Sequence, residues 1–246
     1  MMQKLKDRIA LVTGASRGIG YHAALAMARE GAHVIAIART VGGLEELDDA
    51  IKAEGGSATL VPLDLADFDA IDRLGAEIDK RWGRLDILLA NAGMLGGLSP
   101  LGHVEPKTFA KVFDLNVTAN WRLIRSLDPL LRASDAGRAI FVSSGASHSA
   151  SPFWGVYAAS KAALETLARV YAAENEKTDI RVTIVDPGAT RTAMRAQAMP
   201  GEDPDTLPQP SEIAPDLVML ASPQMRENGK IYKFSEKKFL TPQRPA

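Results

Sequence analysis

The sequence predicts an α/β protein, a single doubly wound domain whose seven-stranded parallel sheet carries helices on both faces. Three observations point there. Short apolar runs alternate with longer helical patterns from end to end. The runs are almost continuously apolar, as in strands buried on both faces of a parallel sheet. No linker-like stretch interrupts the chain before about residue 188, so its 246 residues are expected to form one domain.

Residues 9–13 read as the first strand and run into the turn Thr13-Gly14-Ala15-Ser16-Arg17-Gly18-Ile19-Gly20, which opens a helix over 19–30. A strand at 33–38 and a helix at 43–54 follow, then a strand at 58–62 and a helix at 68–81. The fourth strand is expected at 85–90, with a long helix at 106–133 behind it. Residues 138–142 and 181–185 read as strands on either side of a helix at 155–176. The stretch 187–210 differs, with Pro187, Pro200, Pro204, Pro208 and Pro210 beside Gly188 and Gly201. That composition suits a lid, expected over 188–210. A helix at 211–221 and a seventh strand at 230–234 complete the alternation, and the polar tail beyond Phe234 is expected to fray. Each βαβ crossover should be right-handed.

Composition narrows the function. At 46% hydrophobic the chain can bury a sizeable core, and a net charge of −1 gives no pull toward nucleic acid or an anionic membrane. With no cysteine there is no thiol nucleophile and no cysteine-held metal, and the four histidines show no metal-ligand spacing. The N-terminal apolar run stops at a glycine turn, and no stretch of about 18 apolar residues is present. A cytoplasmic protein is the expectation.

The glycine turn has the chemistry of a dinucleotide site. Gly14, Gly18 and Gly20 allow positive φ and close backbone approach, and the helix that follows offers unpaired N–H donors to a pyrophosphate. An NAD site needs an acid about 20 residues on, for the ribose 2′-OH. The corresponding zone reads Ala36-Ile37-Ala38-Arg39-Thr40, with no acid before Glu45. Arg39 and Arg17 are instead two guanidiniums suited to a 2′-phosphate, which predicts NADP(H).

The second cluster moves a proton. Tyr157 and Lys161 stand one turn apart on one helix face, and Ser144 follows the strand ending at Val142. A free phenol titrates near pH 10, so an ammonium nearby helps it serve as a base, while as a neutral acid it needs less help. Ser144 is placed to hold a carbonyl oxygen against that phenol. Phe153, Trp154, Met194 and Met199 around the cleft suggest a partly apolar ketone or aldehyde. His148 is expected to be a solvated loop histidine.

With these residues the chain resembles the short-chain dehydrogenase/reductase family over roughly residues 5–234. The quoted turn, with Ser16 and Ile19 among its glycines, is similar to that family's cofactor motif, and Tyr157-Ala-Ala-Ser-Lys161 to its Tyr-x-x-x-Lys signature. The resemblance implies a Rossmann-type fold and a catalytic set of Asn116, Ser144, Tyr157 and Lys161, in which Asn116 interrupts a helix. It implies cofactor contacts at Asp64 and Leu65, at Asn91-Ala92-Gly93, at Pro187-Gly188 and at Thr192, with Lys161 on the nicotinamide ribose. Thr190 departs from the aliphatic residue usual there. The activity implied is hydride transfer between NADP(H) and a small carbonyl or alcohol. A homodimer or homotetramer pairing helices 106–133 and 155–176 is implied as well. A dinucleotide-binding sensor without turnover, and an epimerase or dehydratase recycling its cofactor, are the rival readings.

Overall fold

The computed structural model describes residues 3–242. Its sheet has eight strands, β1 (Ile9–Thr13), β2 (His33–Ala38), β3 (Ser57–Pro62), β4 (Ile87–Ala90), β5 (Arg138–Val142), β6 (Arg181–Asp186), β7 (Lys230–Lys233) and β8 (Lys238–Leu240). They lie in the order β3-β2-β1-β4-β5-β6-β7-β8, all parallel except the last pair. The expected seven strands are therefore joined by an eighth, antiparallel one. Lys237 takes a left-handed backbone, φ +50°, and turns the chain back along β7. Phe239 then packs on Tyr232 with ring centroids 5.1 Å apart. The tail thus stays folded through Leu240 instead of fraying after Phe234, and residues 243–246 lie outside the described residues.

Eight helices cover the sheet, α1 (Gly18–Arg29), α2 (Val41–Ala53), α3 (Phe68–Trp82), α4 (Pro106–Phe113), α5 (Ala119–Arg132), α6 (Gly155–Glu174), α7 (Ala193–Ala198) and α8 (Pro210–Ala221). Alternate residues of β1 feed opposite cores. Ala10 and Val12 meet Ala23, Leu47 and Leu217 of α1, α2 and α8, whereas Ile9 and Leu11 meet Ile71, Leu127 and Leu164 of α3, α5 and α6. That division is the physical content of a doubly wound sheet.

Two departures have local causes. β4 starts at Ile87, not at residue 85, because Asp86 turns its buried carboxylate to the backbone N–H of Ile9 (2.8 Å) and to Arg8 (3.0 Å). The expected helix 106–133 is broken by a π-helical turn at Asp114–Thr118, centred on Asn116. Within 188–210, expected to be a lid, the chain forms α7 and a short 3-10 turn at Pro204–Thr206. Strand order reverses between β1 and β4, so a crevice opens at the carboxyl ends of those two strands. Thr13 and Asn91 stitch its floor, with Asn91 Nδ2 donating to Thr13 O at 2.9 Å and the N–H groups of Asn91 and Ala92 donating to Thr13 Oγ1 at 3.0 Å.

Candidate active site

A cleft of about 1060 Å³ runs along the carboxyl ends of the strands. Pockets for a single drug-sized ligand run to about 1,000 Å³, so this cleft has room for a long ligand and more. One end is the glycine turn. Gly14, Ser16, Arg17, Gly18 and Ile19 line it. Gly14 has φ +66°, and a Cβ there would stand 2.9 Å from Asn91 Nδ2. Gly18 has φ +59°, and its missing Cβ would face open cleft, meeting only Thr192 Cγ2 at 3.6 Å. Gly20 does not reach the cleft. A Cβ there would collide with the Gly14 carbonyl, so this glycine lets α1 close onto β1. No side chain caps α1 and no acid sits in its first turn. Its free N–H groups and positive end aim at the cleft, a fit for a pyrophosphate.

The rim beyond β2 carries Arg39, whose Nη1 lies 3.9 Å from Asp64 Oδ2, both side chains being more than half exposed. Leu65, Asn91, Ala92 and Gly93 continue the wall. Pro187, Gly188 and Thr192 form the opposite side. The Thr192 hydroxyl accepts from Arg195 N at 3.2 Å, which starts α7. Thr190, the departure from an aliphatic residue, also lines the cleft, but it is buried and its hydroxyl donates to Pro187 O at 3.1 Å.

At the other end α6 presents Tyr157 and Lys161 to the cleft, and Ser144 faces them from the turn after β5. Burial pushes the Tyr157 phenol up to about 12, the hydrogen bond with Ser144 works against this, and the Asp186 carboxylate adds to the rise. Ionising such a phenol at pH 7 requires about 7 kcal/mol of help, from five units at about 1.4 kcal/mol each. At pH 7 the group is therefore an acid. Lys161 is fully enclosed, Nζ donating to Val142 O at 2.8 Å, and stands 5.8 Å from the Tyr157 ring centroid. Burial brings its ammonium down to about 8, with Glu165 pulling the other way.

Asn116 is buried and does not line the cleft. Its amide spans Met94, accepting from Met94 N and donating to Met94 O, both at 2.9 Å, and also donates to Ser160 Oγ at 2.9 Å. These bonds hold the π turn open. Gly93 sits between it and the ammonium, since a Cβ there would stand 3.2 Å from Asn116 Oδ1 and 3.4 Å from Lys161 Nζ. The Asn116 carbonyl accepts from Asn120 Nδ2 at 2.8 Å, a partner the sequence did not point to.

The phenol's apolar neighbours are Leu95 and Ala198, with Ala146, Trp154 and Met194 against them. Met199 also lines the cleft, but Phe153 turns outward with φ +74°, its carbonyl accepting from Ser99 N at 3.1 Å. Two acids are additions to the expected site. Asp186 Oδ1 accepts from Gly145 N (2.9 Å) and Gly188 N (3.0 Å), tying the serine turn to the Pro187-Gly188 turn. Glu165 stands one turn past Lys161, a spacing that marks it in the sequence. His148, expected to be a solvated loop histidine, is 60% exposed, and its Nε2 also stands 2.9 Å from Glu165 Oε2. Among the described residues no cluster of acids and histidines could hold a metal, and no helix is long and apolar enough to cross a membrane.

A glycine-rich phosphate turn facing a Ser-Tyr-Lys set across one cleft defines a dinucleotide-dependent oxidoreductase. The family profile for short chain dehydrogenase matches residues 8–203. The oxidoreductase YciK of Escherichia coli (strain K12) is 40% identical over 225 residues, covering 90% of this chain and 89% of that protein. A fatty acyl-CoA reductase of Acinetobacter baylyi is 36% identical over 223 residues, covering 89% and 74%. The crystal structure of a short chain dehydrogenase from Shigella flexneri 2a, complexed with NADP, superposes with a TM-score of 0.91 at 39% identity, covering 95% of this chain and 99% of that one. The chain belongs to the short-chain dehydrogenase family.

Proposed function

We propose that the protein is an NADP(H)-dependent reductase that interconverts a ketone or aldehyde and its alcohol, with Tyr157 as general acid/base. The observation that carries this is the buried phenol held near 12 beside an enclosed lysine and Ser144. Bound nicotinamide would supply a hydride to the carbonyl carbon. Ser144 and Tyr157 grip the carbonyl oxygen, Tyr157 gives it a proton, and the charge of Lys161 stabilises the phenolate left behind. In the oxidative direction the same phenolate takes the proton back.

The glycine turn and the uncapped start of α1 fit the pyrophosphate, and Asp64, Leu65, Asn91, Ala92 and Gly93 the adenosine and central parts. Pro187, Gly188 and Thr192 fit the carboxamide, and Lys161 the nicotinamide ribose. NADP(H) is favoured over NAD(H) because Arg39 directly follows β2, with Arg17 also lining the cleft, and the zone from Ala36 holds no acid before Glu45 at the position that serves a ribose 2′-OH. The NADP in the Shigella structure supports the same choice. The apolar surroundings of Tyr157 suit a carbonyl with an apolar substituent, and the name of the Acinetobacter relative agrees with that class. We read residues 188–210 as the lid and the assembly as a homodimer or homotetramer.

A panel of carbonyls tested by NADPH absorbance checks the activity. Tyr157→Phe should bind NADPH normally while kcat falls by a factor of roughly 10² or more. Near-normal turnover would remove Tyr157 from the chemistry, and tight NADPH binding without turnover on any carbonyl would favour a sensor. Arg39→Ala should raise KM for NADPH more than for NADH. Equal changes would exclude a 2′-phosphate contact.

A further inference from the structure

We propose that Glu165 is a positioning residue for this reaction, a single buried carboxylate that fixes the turn carrying Ser144 and balances the charge of Lys161. The inference rests on the reductase reading and extends it to a group outside the catalytic set.

The geometry is specific. The Glu165 side chain is only 7% exposed. Its Oε1 accepts from Ser143 Oγ at 2.5 Å and from Ser147 Oγ at 2.6 Å, and its Oε2 lies 2.9 Å from His148 Nε2. These three partners bracket Ser144 in the chain. The Ser147 hydroxyl also reaches the Ser144 carbonyl at 2.7 Å, so its one proton is shared between that carbonyl and the carboxylate. A buried carboxylate is costly unless it accepts hydrogen bonds, and here two serine hydroxyls of one loop donate to it while His148 Nε2 stands at its other oxygen. The loop cannot shift without stranding the charge, so the serine hydroxyl is held toward Tyr157.

The other half is electrostatic. Glu165 follows Lys161 by four residues on α6, hence on the same face. The titratable groups around the Tyr157–Lys161 pair are Glu165 on the same helix, which acts on Lys161, Asp186 at the end of β6, which acts on Tyr157, and His148 behind Glu165. Burial favours a neutral amine at Lys161, and Glu165 opposes that. A neutral amine would do nothing for a phenolate. The same carboxylate therefore sets the geometry of one partner of Tyr157 and the charge of the other.

Glu165→Gln separates these roles, because it keeps an acceptor for the two serines and loses the charge. The Lys161 side-chain titration is followed by NMR of lysine-labelled protein without cofactor, the signal being assigned by its loss in Lys161→Met. We expect it to move to lower pH in Glu165→Gln, and the alkaline limb of kcat to move with it. NADPH KM should stay within about twofold while kcat at pH 8 falls about tenfold, the pattern of a lost transition-state interaction. An unmoved lysine titration, or an unchanged kcat, overturns the proposal. Glu165→Asp keeps the charge but draws it back from Ser143 and Ser147. It should lower kcat with the lysine titration near that of the parent, and a parental kcat in this variant overturns the proposal even if the glutamine form does not fold. The titration needs no turnover, so a parent protein inactive on every carbonyl would defeat the reductase reading separately.

Discussion

Lys161 illustrates how a residue proposed for catalysis can work against the fold that holds it. Its ammonium is enclosed and titrates near 8 in place of the usual 10.5. Keeping it charged at pH 7 costs the folded protein about 3 kcal/mol. The sign follows from proton counts. Between about pH 8 and 10.5 the unfolded chain binds more protons than the folded one, so this residue's contribution to stability rises with pH across that window. Lys161→Met removes the charge and keeps the bulk. We expect the variant to be inactive yet more stable at pH 7 by about 1–3 kcal/mol, which for a domain of this size raises Tm by several degrees. Calorimetry should show that advantage shrinking above pH 8 and vanishing near pH 10.5. A lower Tm at pH 7 would mean that the bond to Val142 outweighs the buried charge. Tyr157 and Lys161 were legible in the sequence because their spacing is local, one turn of helix. Glu165, His148 and Asp186 were not read as a set, because their partners come from elsewhere in the chain. Ser143 and Glu165 are 22 residues apart, and Gly145 and Asp186 are 41 apart with a whole helix between them.

Among the elements, the helices beside the cleft depart most from plain periodicity. An apolar pattern over 106–133 predicts one rod, and the π turn appears only because Asn116 is committed to the backbone of Met94. Nothing in the residues' own spacing encodes that, although the resemblance did imply an interruption at this asparagine. The stretch 188–210 was legible as a proline-rich departure from the alternation, but not the clasp inside it. Arg195 grips Glu202 through two bonds, Nε to Oε2 at 2.5 Å and Nη2 to Oε1 at 2.6 Å, with both side chains about three-quarters buried. Arg195 lines the cleft, so this pair joins α7 to the strap that follows it. Glu202→Gln should loosen the strap and raise KM for the carbonyl roughly fivefold, with kcat little changed. Steady-state kinetics on the best substrate of the panel checks this, and an unchanged KM would separate the clasp from substrate binding.

Across the whole molecule, the order of strands and helices was nearly complete in the sequence, since each buried strand writes an apolar run and each crossover a helical period. β8 was missed because three residues that begin with Lys238 and follow Glu236 and Lys237 leave no such trace, and only pairing with β7 makes them a strand. Phe109, Trp121 and Val170 stand exposed on α4, α5 and α6, the helices expected to pair between subunits. A second copy would cover them, and Val170→Glu should convert a dimer or tetramer to smaller species in analytical ultracentrifugation. An unaltered assembly would move the interface elsewhere. β8 has a further consequence. It occupies the hydrogen-bonding side of β7 and, being short and bearing Lys238, makes a poor template for another strand. A chain truncated after Phe234 would leave the row of β7 amides and carbonyls bare. Such a chain should precipitate or pair edge to edge, so a purification tag belongs where it leaves these last residues undisturbed.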